Sequence, residues 1–323
     1  MYKSERGGGS SNQLLHCPRA ELSELSKPHI YNDGNFPSCV QGAHVAFKQY
    51  TNGKKLKKKI KHIILQHGAV EYHRRHIDLI STLLGKYKNG LIISCMDLVG
   101  HGYSGGARAY VDEFDSYLKD FLTFSETISE LYQEHEVEST HFIAHSLGGA
   151  IAVKAMVDWK DQIPFKVDSM VLTNPCIKPS IKLPGLLKDF VSSAGKNMGK
   201  SRIPSLYRGK DLTNDRSKAI SFDADHLNSN FITSSMASAI LQNSSVIMSY
   251  SYYLQTPSLF ILSGQDKIVD NEATDLFIGA MSKSLASKLV YDEAKHDILN
   301  ETCAKEVFQE IIDYIDRTQL EIK

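Results

Sequence analysis

Short apolar segments alternate with segments of helical period along this chain, and this alternation restricts the fold more than any other feature. The clearest strand candidates are residues 61–66, 91–96, 141–144, 169–173, 258–262 and 288–291. Short apolar runs bounded by polar residues or glycine are typical of strands that are buried on both faces. Between 114 and 132, in contrast, apolar residues recur at three- and four-residue steps, as in an amphipathic helix. The sequence therefore predicts an α/β fold with a doubly wound, mostly parallel sheet.

The chain is long enough for one large domain that carries an insertion. Residues 1–40 are polar and rich in Gly, Ser and Pro, and we expect a partly irregular lead-in. Residues 41–176 and 244–323 are predicted to form two parts of one core, with 42–47 as an edge strand. Residues 177–243 contain no strand-like run, and an insertion of this length is better explained as a helical cap than as a loop.

Composition restricts the possible partners. The formal net charge is zero, so no overall field favours nucleic acid. The lysine-rich segment 54–61 follows the turn signal Asn52-Gly53 and is interpreted as a solvated hairpin tip. A patch that attracts an anionic membrane surface is the alternative.

Cysteine usage and the N-terminal segment indicate the compartment. The cysteines are scattered and odd in number, without a CxxC pair: Cys17, Cys39, Cys95, Cys176 and Cys303. Reduced thiols in the cytoplasm are the simplest interpretation. The N-terminal segment lacks the apolar stretch of a signal peptide, and no apolar run reaches the ~20 residues that cross a bilayer. We predict a cytoplasmic protein, with peripheral membrane contact through the cap as a further expectation.

The strongest local motif is Ala144-His145-Ser146-Leu147-Gly148-Gly149, which follows a strand and opens a helix. This is the context in which G-x-S-x-G forms a nucleophile elbow, with alanine here in place of the first glycine. A strained turn of this kind needs small neighbours, because side chains there would collide with the backbone. We predict Ser146 as a nucleophile.

A serine hydroxyl needs a base, and the base needs a carboxylate that orients it. In this fold class the acid and then the histidine follow the serine along the chain. Asp266 lies in the loop after a buried strand, and His296 in the loop after the last strand. We predict Asp266 as the acid, with Asp270 as the alternative, and His296 as the base.

An oxyanion hole requires two backbone N–H groups. One is expected from Leu147, at the start of the helix, and the other from Ala69, in the turn after an early strand. The alternative that His67, His73 and His76 bind a metal lacks a carboxylate or cysteine at ligand spacing, and no metal is predicted.

The segment 100–105 satisfies G-x-G-x-x-G after a strand. A dinucleotide site would also need a helix that opens at once and an acidic residue at the end of the next strand. Neither is present, so we interpret the segment as a packing turn.

These motifs together resemble the monoacylglycerol lipase and lysophospholipase group of α/β-hydrolases, the serine-aminopeptidase-like hydrolases. The matching segments are residues 67–71, 97–106, 145–149, 266–269 and 296–301. The resemblance runs from about residue 40 to the end and is weakest in the cap. It implies an α/β-hydrolase fold with a helical cap over an acyl channel, and a triad of Ser146, Asp266 and His296.

The resemblance also implies that Glu71, Arg75 and His145 contact the polar end of the substrate. A surface ion pair between Glu71 and Arg75 is the alternative. Val70 and Tyr72 stand where the family usually has Gly and His. An apolar face of Leu183, Leu186, Leu187, Phe190 and Val191 could line the acyl channel or pack on the core.

The expected activity is hydrolysis of a single-chain lipid ester, a monoacylglycerol or a lysophospholipid, without a cofactor. An acyltransferase or peptidase that uses the same acyl-enzyme is the first alternative. A non-catalytic binding protein of the same fold is the second. Oligomeric state, head group and chain length are left open by the sequence.

Overall fold

A computed structural model of the protein describes residues 28–53, 55–180, 198–205 and 207–322. Its strands are β1 (His29–Pro37), β2 (His44–Thr51), β3 (Lys59–Gln66), β4 (Leu91–Met96), β5 (Glu136–His145), β6 (Ser169–Thr173), β7 (Arg202–Pro204), β8 (Phe231–Thr233), β9 (Ser258–Ser263) and β10 (Ala286–Tyr291). Eight of them form one sheet in the order β1-β2-β4-β3-β5-β6-β9-β10. From β4 to β10 the neighbours are parallel, whereas β1 and β2 join antiparallel.

Helices cover both faces of this sheet. The helices of the described chain are α1 (Ile77–Tyr87), α2 (Asp115–Leu131), α3 (Leu147–Asp158), α4 (Gly209–Leu212), α5 (Arg216–Ala224), α6 (Ser234–Ser249), α7 (Asn271–Ala280) and α8 (Ala304–Ile322). Tyr117 and Phe121 of α2 and Ile151 of α3 belong to one apolar core. Leu79 of α1 and Ile311 of α8 belong to a second. Two separate cores on one sheet confirm the predicted doubly wound α/β architecture.

The start of the chain differs from one prediction. Residues 29–37, within the lead-in predicted to be partly irregular, form β1 at the edge of the sheet. The prediction that residues 42–47 form the edge strand was wrong, because β2 lies between β1 and β4. An edge strand with solvent on both sides carries little apolar pattern, and Phe36 is the buried side chain of β1. Residues 1–27 lie outside the described residues.

The described part of the lysine-rich segment, 55–61, does not form the tip of a hairpin. β2 pairs with β4, and Lys59 begins β3 beside Glu136, which begins β5, with 2.9 Å between ammonium and carboxylate. The described lysines therefore lie at or near the amino ends of the parallel strands. β3 has eight residues and spans about 26 Å. A membrane bound to the lysines at its amino end would therefore lie at the opposite end of the sheet from Ser146, which follows the carboxyl end of β5.

The chain between β6 and β9 contains α4, α5 and α6, so the described part of the predicted cap segment carries helices joined by irregular chain. It also contains a short antiparallel pair, β7 with β8, that was not predicted. Strands of three residues are too short to show an alternating pattern. The apolar face between Leu183 and Val191 lies outside the described residues, and the cap boundaries stay a prediction.

None of the helices in the described part of the chain is both long and apolar enough to cross a bilayer. The cytoplasmic location stays a prediction.

Candidate active site

Ser146 occupies a strained turn between β5 and α3. Its backbone has φ 51° and ψ −118°, a conformation that non-glycine residues rarely adopt. A Cβ on Gly148 would lie 2.6 Å from the carbonyl oxygen of His67, and a Cβ on Gly149 would lie 2.7 Å from Cβ of Pro175. The small residues after the serine are therefore required by close approach of neighbouring segments, as expected for a nucleophile elbow.

The loops after β9 and β10 bring two further side chains to this turn. His296 Nε2 lies 2.8 Å from Ser146 Oγ, and His296 Nδ1 lies 2.7 Å from Asp266 Oδ2. Ser146 and His296 are buried, and the side chain of Asp266 is fully covered although its backbone is half-buried. The three predicted residues thus form one continuous chain of hydrogen bonds.

Asp266 is held in a fixed orientation by its own loop. Its Oδ1 accepts the backbone N–H groups of Ile268 and Val269 at 2.8 and 3.1 Å. The alternative acid, Asp270, is used elsewhere: it caps α7 by accepting the N–H of Ala273 and pairs with Lys178 at 2.7 Å. The geometry favours Asp266 as the partner of His296.

Electrostatics in this chain suit proton transfer. Burial alone would lower the pKa of His296, but the charge and hydrogen bond of Asp266, with the charges of Asp297 and Glu71, raise it. Burial alone would raise the pKa of Asp266, but His296 and the two backbone N–H groups lower it. Asp266 is therefore ionised at neutral pH and stabilises a protonated His296.

The turn after β3 lies directly against the nucleophile. A Cβ on Gly68 would lie 2.9 Å from Cβ of Ser146. Within the described chain, neither Ala69 nor Leu147 gives its backbone N–H to a protein acceptor. Leu147 is the first residue of α3, where N–H groups have no partner inside the helix. Both predicted donors are thus available for an oxyanion.

Val70 continues this turn in a left-handed conformation, with φ 59°. A branched side chain is rarely found there. The cap supports the turn, because Ser229 donates its N–H to the Val70 carbonyl at 2.9 Å. Tyr72, the second departure from the family pattern, donates its hydroxyl to Asp225 Oδ2 at 2.7 Å.

Glu71 and His145 lie beside the Gly68 turn, close to Ser146, and their predicted role in substrate binding stays a prediction. Glu71 Oε1 accepts the N–H of Gly68 at 2.7 Å and lies 3.3 Å from His76 Nε2. Burial would raise the pKa of Glu71, but His76, His145 and His67 outweigh it and lower the pKa. Burial lowers the pKa of His145 to about 4, and its ring lies 5.0 Å from that of His296.

Arg75 pairs with Asp297 and not with Glu71, the partner that the sequence suggested. It does not form a surface pair with Glu71, because both side chains are buried and its Nη2 lies 2.7 Å from Asp297 Oδ2. Sequence reasoning missed Asp297. The available signal was its position directly after His296 in a segment that matched the family.

Two of the three histidines of the metal alternative, His67 and His73, are engaged within the protein, whereas the buried ring nitrogens of His76 have no hydrogen-bond partner among the described residues. His67 Nδ1 donates to the Gly68 carbonyl at 2.7 Å, and His67 Nε2 accepts the N–H of Leu98 at 2.9 Å. His73 bonds Asp97 through Nδ1 and the Tyr50 hydroxyl through Nε2. No ring nitrogen of these two residues is left for a metal ion.

The segment 100–105 leads into a loop, and α2 begins only at Asp115. Ser104 Oγ donates to the Asp97 carbonyl at 2.5 Å and accepts the N–H of Ala46 at 2.8 Å. The packing role predicted for this segment agrees with these contacts.

Comparison with known proteins assigns the family. The sequence profile of the serine aminopeptidase S33 family matches residues 57–303. A monoglyceride lipase homolog of Monkeypox virus is 25% identical over 261 residues, which cover 78% of this chain and 88% of that protein. An abhydrolase domain-containing protein of Dictyostelium discoideum is 26% identical over 80% of this chain, which matches only 26% of that longer protein.

Among solved structures, a soluble variant of monoglyceride lipase from Saccharomyces cerevisiae superposes with a TM-score of 0.75. The match covers 90% of this chain and 96% of the yeast chain at 19% identity. This likeness establishes the α/β-hydrolase fold. The chain belongs to the serine aminopeptidase S33 family, and its relatives place it in the monoacylglycerol lipase-like group of α/β-hydrolases.

Proposed function

We propose that this protein is a serine carboxylic-ester hydrolase that cleaves a single-chain lipid ester through an acyl-enzyme on Ser146. The observation that carries the proposal is the hydrogen-bonded chain from Asp266 through His296 to Ser146. A binding protein of the same fold would have no need of all three groups in this order.

The reaction follows from the roles of these groups. Ser146 Oγ attacks the ester carbonyl while His296 Nε2 takes its proton, and Asp266 stabilises the imidazolium. The N–H groups of Ala69 and Leu147 stabilise the oxyanion. His296 then returns the proton to the leaving alcohol. Water, deprotonated by His296, attacks the acyl-enzyme, releases the fatty acid and restores Ser146, so no cofactor is required.

Charges near the nucleophile favour an uncharged head group. Glu71 is ionised, and the positive charge of Arg75 is already paired with Asp297. A phosphate on the substrate would meet Glu71 without a free guanidinium to compensate, at a cost in desolvation. A glycerol hydroxyl, in contrast, can donate to a carboxylate. A monoacylglycerol therefore fits better than an anionic lysophospholipid.

A turnover screen tests this function. Monoacylglycerols and lysophospholipids with neutral and anionic head groups are compared over a range of chain lengths, with Ser146→Ala as the control. We expect wild type to release fatty acid fastest from monoacylglycerols and Ser146→Ala to be inactive. Equal turnover by Ser146→Ala, or preference for an anionic head group, would contradict the proposal.

The family name favours one alternative, a peptidase that uses the same acyl-enzyme. Aminoacyl amides added to the screen distinguish the two: amide cleavage at rates that match ester cleavage would support the peptidase. An acyltransferase would transfer the acyl group to added glycerol in preference to water.

We propose peripheral membrane contact through the cap, where Met198 and Ile220 are exposed apolar side chains, at 62% and 60% exposure. Ile220→Ser is expected to weaken flotation with lipid vesicles. Unchanged flotation would argue against this contact.

A further inference from the structure

Asp297, the residue after His296, forms a buried ion pair with Arg75, which comes from a distant part of the sequence. Asp297 Oδ2 lies 2.7 Å from Arg75 Nη2, and both side chains are almost fully buried. Asn300 Nδ2 donates to Asp297 Oδ1 at 3.0 Å. The loop that carries His296 is thus joined by an ion pair to the segment that follows the Gly68–Ala69 turn.

Arg75 also contacts the cap. Its Nη1 donates to Ser221 Oγ at 3.2 Å, and its guanidinium lies 5.1 Å from the centre of the Phe222 ring. Both residues belong to α5. A single guanidinium, from the segment that follows the oxyanion turn, therefore contacts both the histidine loop and the cap.

The backbone between α4 and α5 binds the same loop. Asp297 donates its N–H to the Leu212 carbonyl at 2.8 Å, and Thr213 Oγ1 donates to the Asn300 carbonyl at 2.8 Å. The N–H of Asn214 is donated to Glu301 Oε1 at 2.7 Å. These bonds support the loop on the cap side, whereas Arg75 supports it from the core.

The position of His296 depends on this support. Proton transfer from Ser146 requires the imidazole within hydrogen-bond reach, and a displacement of about 1 Å can reduce the rate about a hundredfold. A buried charge that loses its partner is strongly unfavourable, so the loop would rearrange to reach water.

We propose that Arg75 and Asp297 form a positioning pair that fixes the His296 loop against the oxyanion turn and the cap. This inference rests on the proposed serine-hydrolase function. It gives Arg75 a role that does not depend on the head group of the substrate, in place of the head-group contact expected from the family.

A positioning role for Arg75 and a head-group-binding role predict different results for Arg75→Met and Asp297→Asn. The measurements are the rate at which a fluorophosphonate probe labels Ser146, and kcat and KM for p-nitrophenyl butyrate and for a monoacylglycerol. The probe and the p-nitrophenyl ester lack a glycerol group. We expect both variants to lower the labelling rate and both kcat values about ten- to a hundredfold, with KM changed less than about twofold.

A head-group role would give the opposite pattern. If both variants keep the wild-type labelling rate and p-nitrophenyl butyrate turnover, while KM for the monoacylglycerol rises, the proposal that Arg75 and Asp297 position His296 is contradicted. If wild type itself is neither labelled nor active on esters, the proposed function fails, which is a separate result.

Two further variants guard against loss of folding. Arg75→Lys keeps the charge and is expected to recover part of the rate that Arg75→Met loses, and the double variant is expected to be no slower than the slower single variant. Independent, additive losses would contradict the pair. Lys288→Met, which breaks an exposed ion pair with Asp275, is the matched control and is expected to label at the wild-type rate.

Discussion

His296 Nε2 lies 2.8 Å from Ser146 Oγ, although the two residues are 150 positions apart in the sequence. Ser146 follows β5, Asp266 follows β9 and His296 follows β10. These strands are parallel and lie in the same half of the sheet, in the order β5-β6-β9-β10. Their carboxyl ends meet at one edge, which converts the chain order of serine, acid and histidine into a cluster.

The first prediction distinguishes the two candidate acids. Asp266→Asn is expected to lower kcat by about three to four orders of magnitude, because an amide can hold the wrong tautomer of His296 and cannot stabilise the imidazolium. Asp270→Asn keeps a helix cap of equal quality and should retain kcat. Ester turnover by the two purified variants measures this, and a similar loss in both would contradict the assignment.

The second prediction concerns pH. His296 must be neutral to accept the serine proton, and Asp266, Asp297 and Glu71 raise its pKa above the ordinary value of about 6.5. As pH falls, kcat/KM should therefore begin to decline at a higher pH than it would if His296 had the ordinary pKa of a histidine. Asp297→Asn removes a negative charge, so its acidic limb should move to lower pH. A limb that stays in place or moves to higher pH would show that the charge of Asp297 does not raise the pKa of His296.

The third prediction concerns the strained turn at Val70. A left-handed backbone costs a non-glycine residue about 1–2 kcal/mol, and glycine would relieve this while losing some side-chain contact. Val70→Gly should change the free energy of unfolding by less than about 1 kcal/mol. The matched control is Val137→Gly, at a half-buried position within β5, which should be clearly destabilising. If chemical denaturation shows that Val70→Gly and Val137→Gly lose equal free energies of unfolding, the Val70 backbone is not strained.

How far the sequence could predict this molecule depends on the range of each interaction. Ser146 was predictable because the strand, the turn and the helix around it are adjacent in sequence. β1 was missed because an edge strand buries little, and Phe36 alone gives no period. The Arg75–Asp297 pair joins residues 222 positions apart, and nothing in either local sequence shows that the other side chain is nearby.

The fourth prediction concerns acid stability. Burial lowers the pKa of His62 to about 3, and that of His141 to about 4. In the unfolded chain these histidines bind protons below about pH 6.5. The unfolded state thus binds more protons than the folded state in this window, so the free energy of unfolding should fall as pH drops from 6.5 towards 4.

His62 provides the test of this linkage. Its Nε2 lies 3.0 Å from Ser94 Oγ inside the sheet, a contact that a glutamine amide can replace without a titrating group. His62→Gln should therefore lose less stability than wild type between pH 7 and pH 5, measured by chemical denaturation at both values. The control is His44→Gln, an exposed position at the start of β2 that should keep the wild-type pH dependence. If His62→Gln and wild type lose stability equally between pH 7 and pH 5, His62 does not contribute to acid sensitivity. Other buried histidines with a lowered pKa, such as His141, would then have to account for the loss.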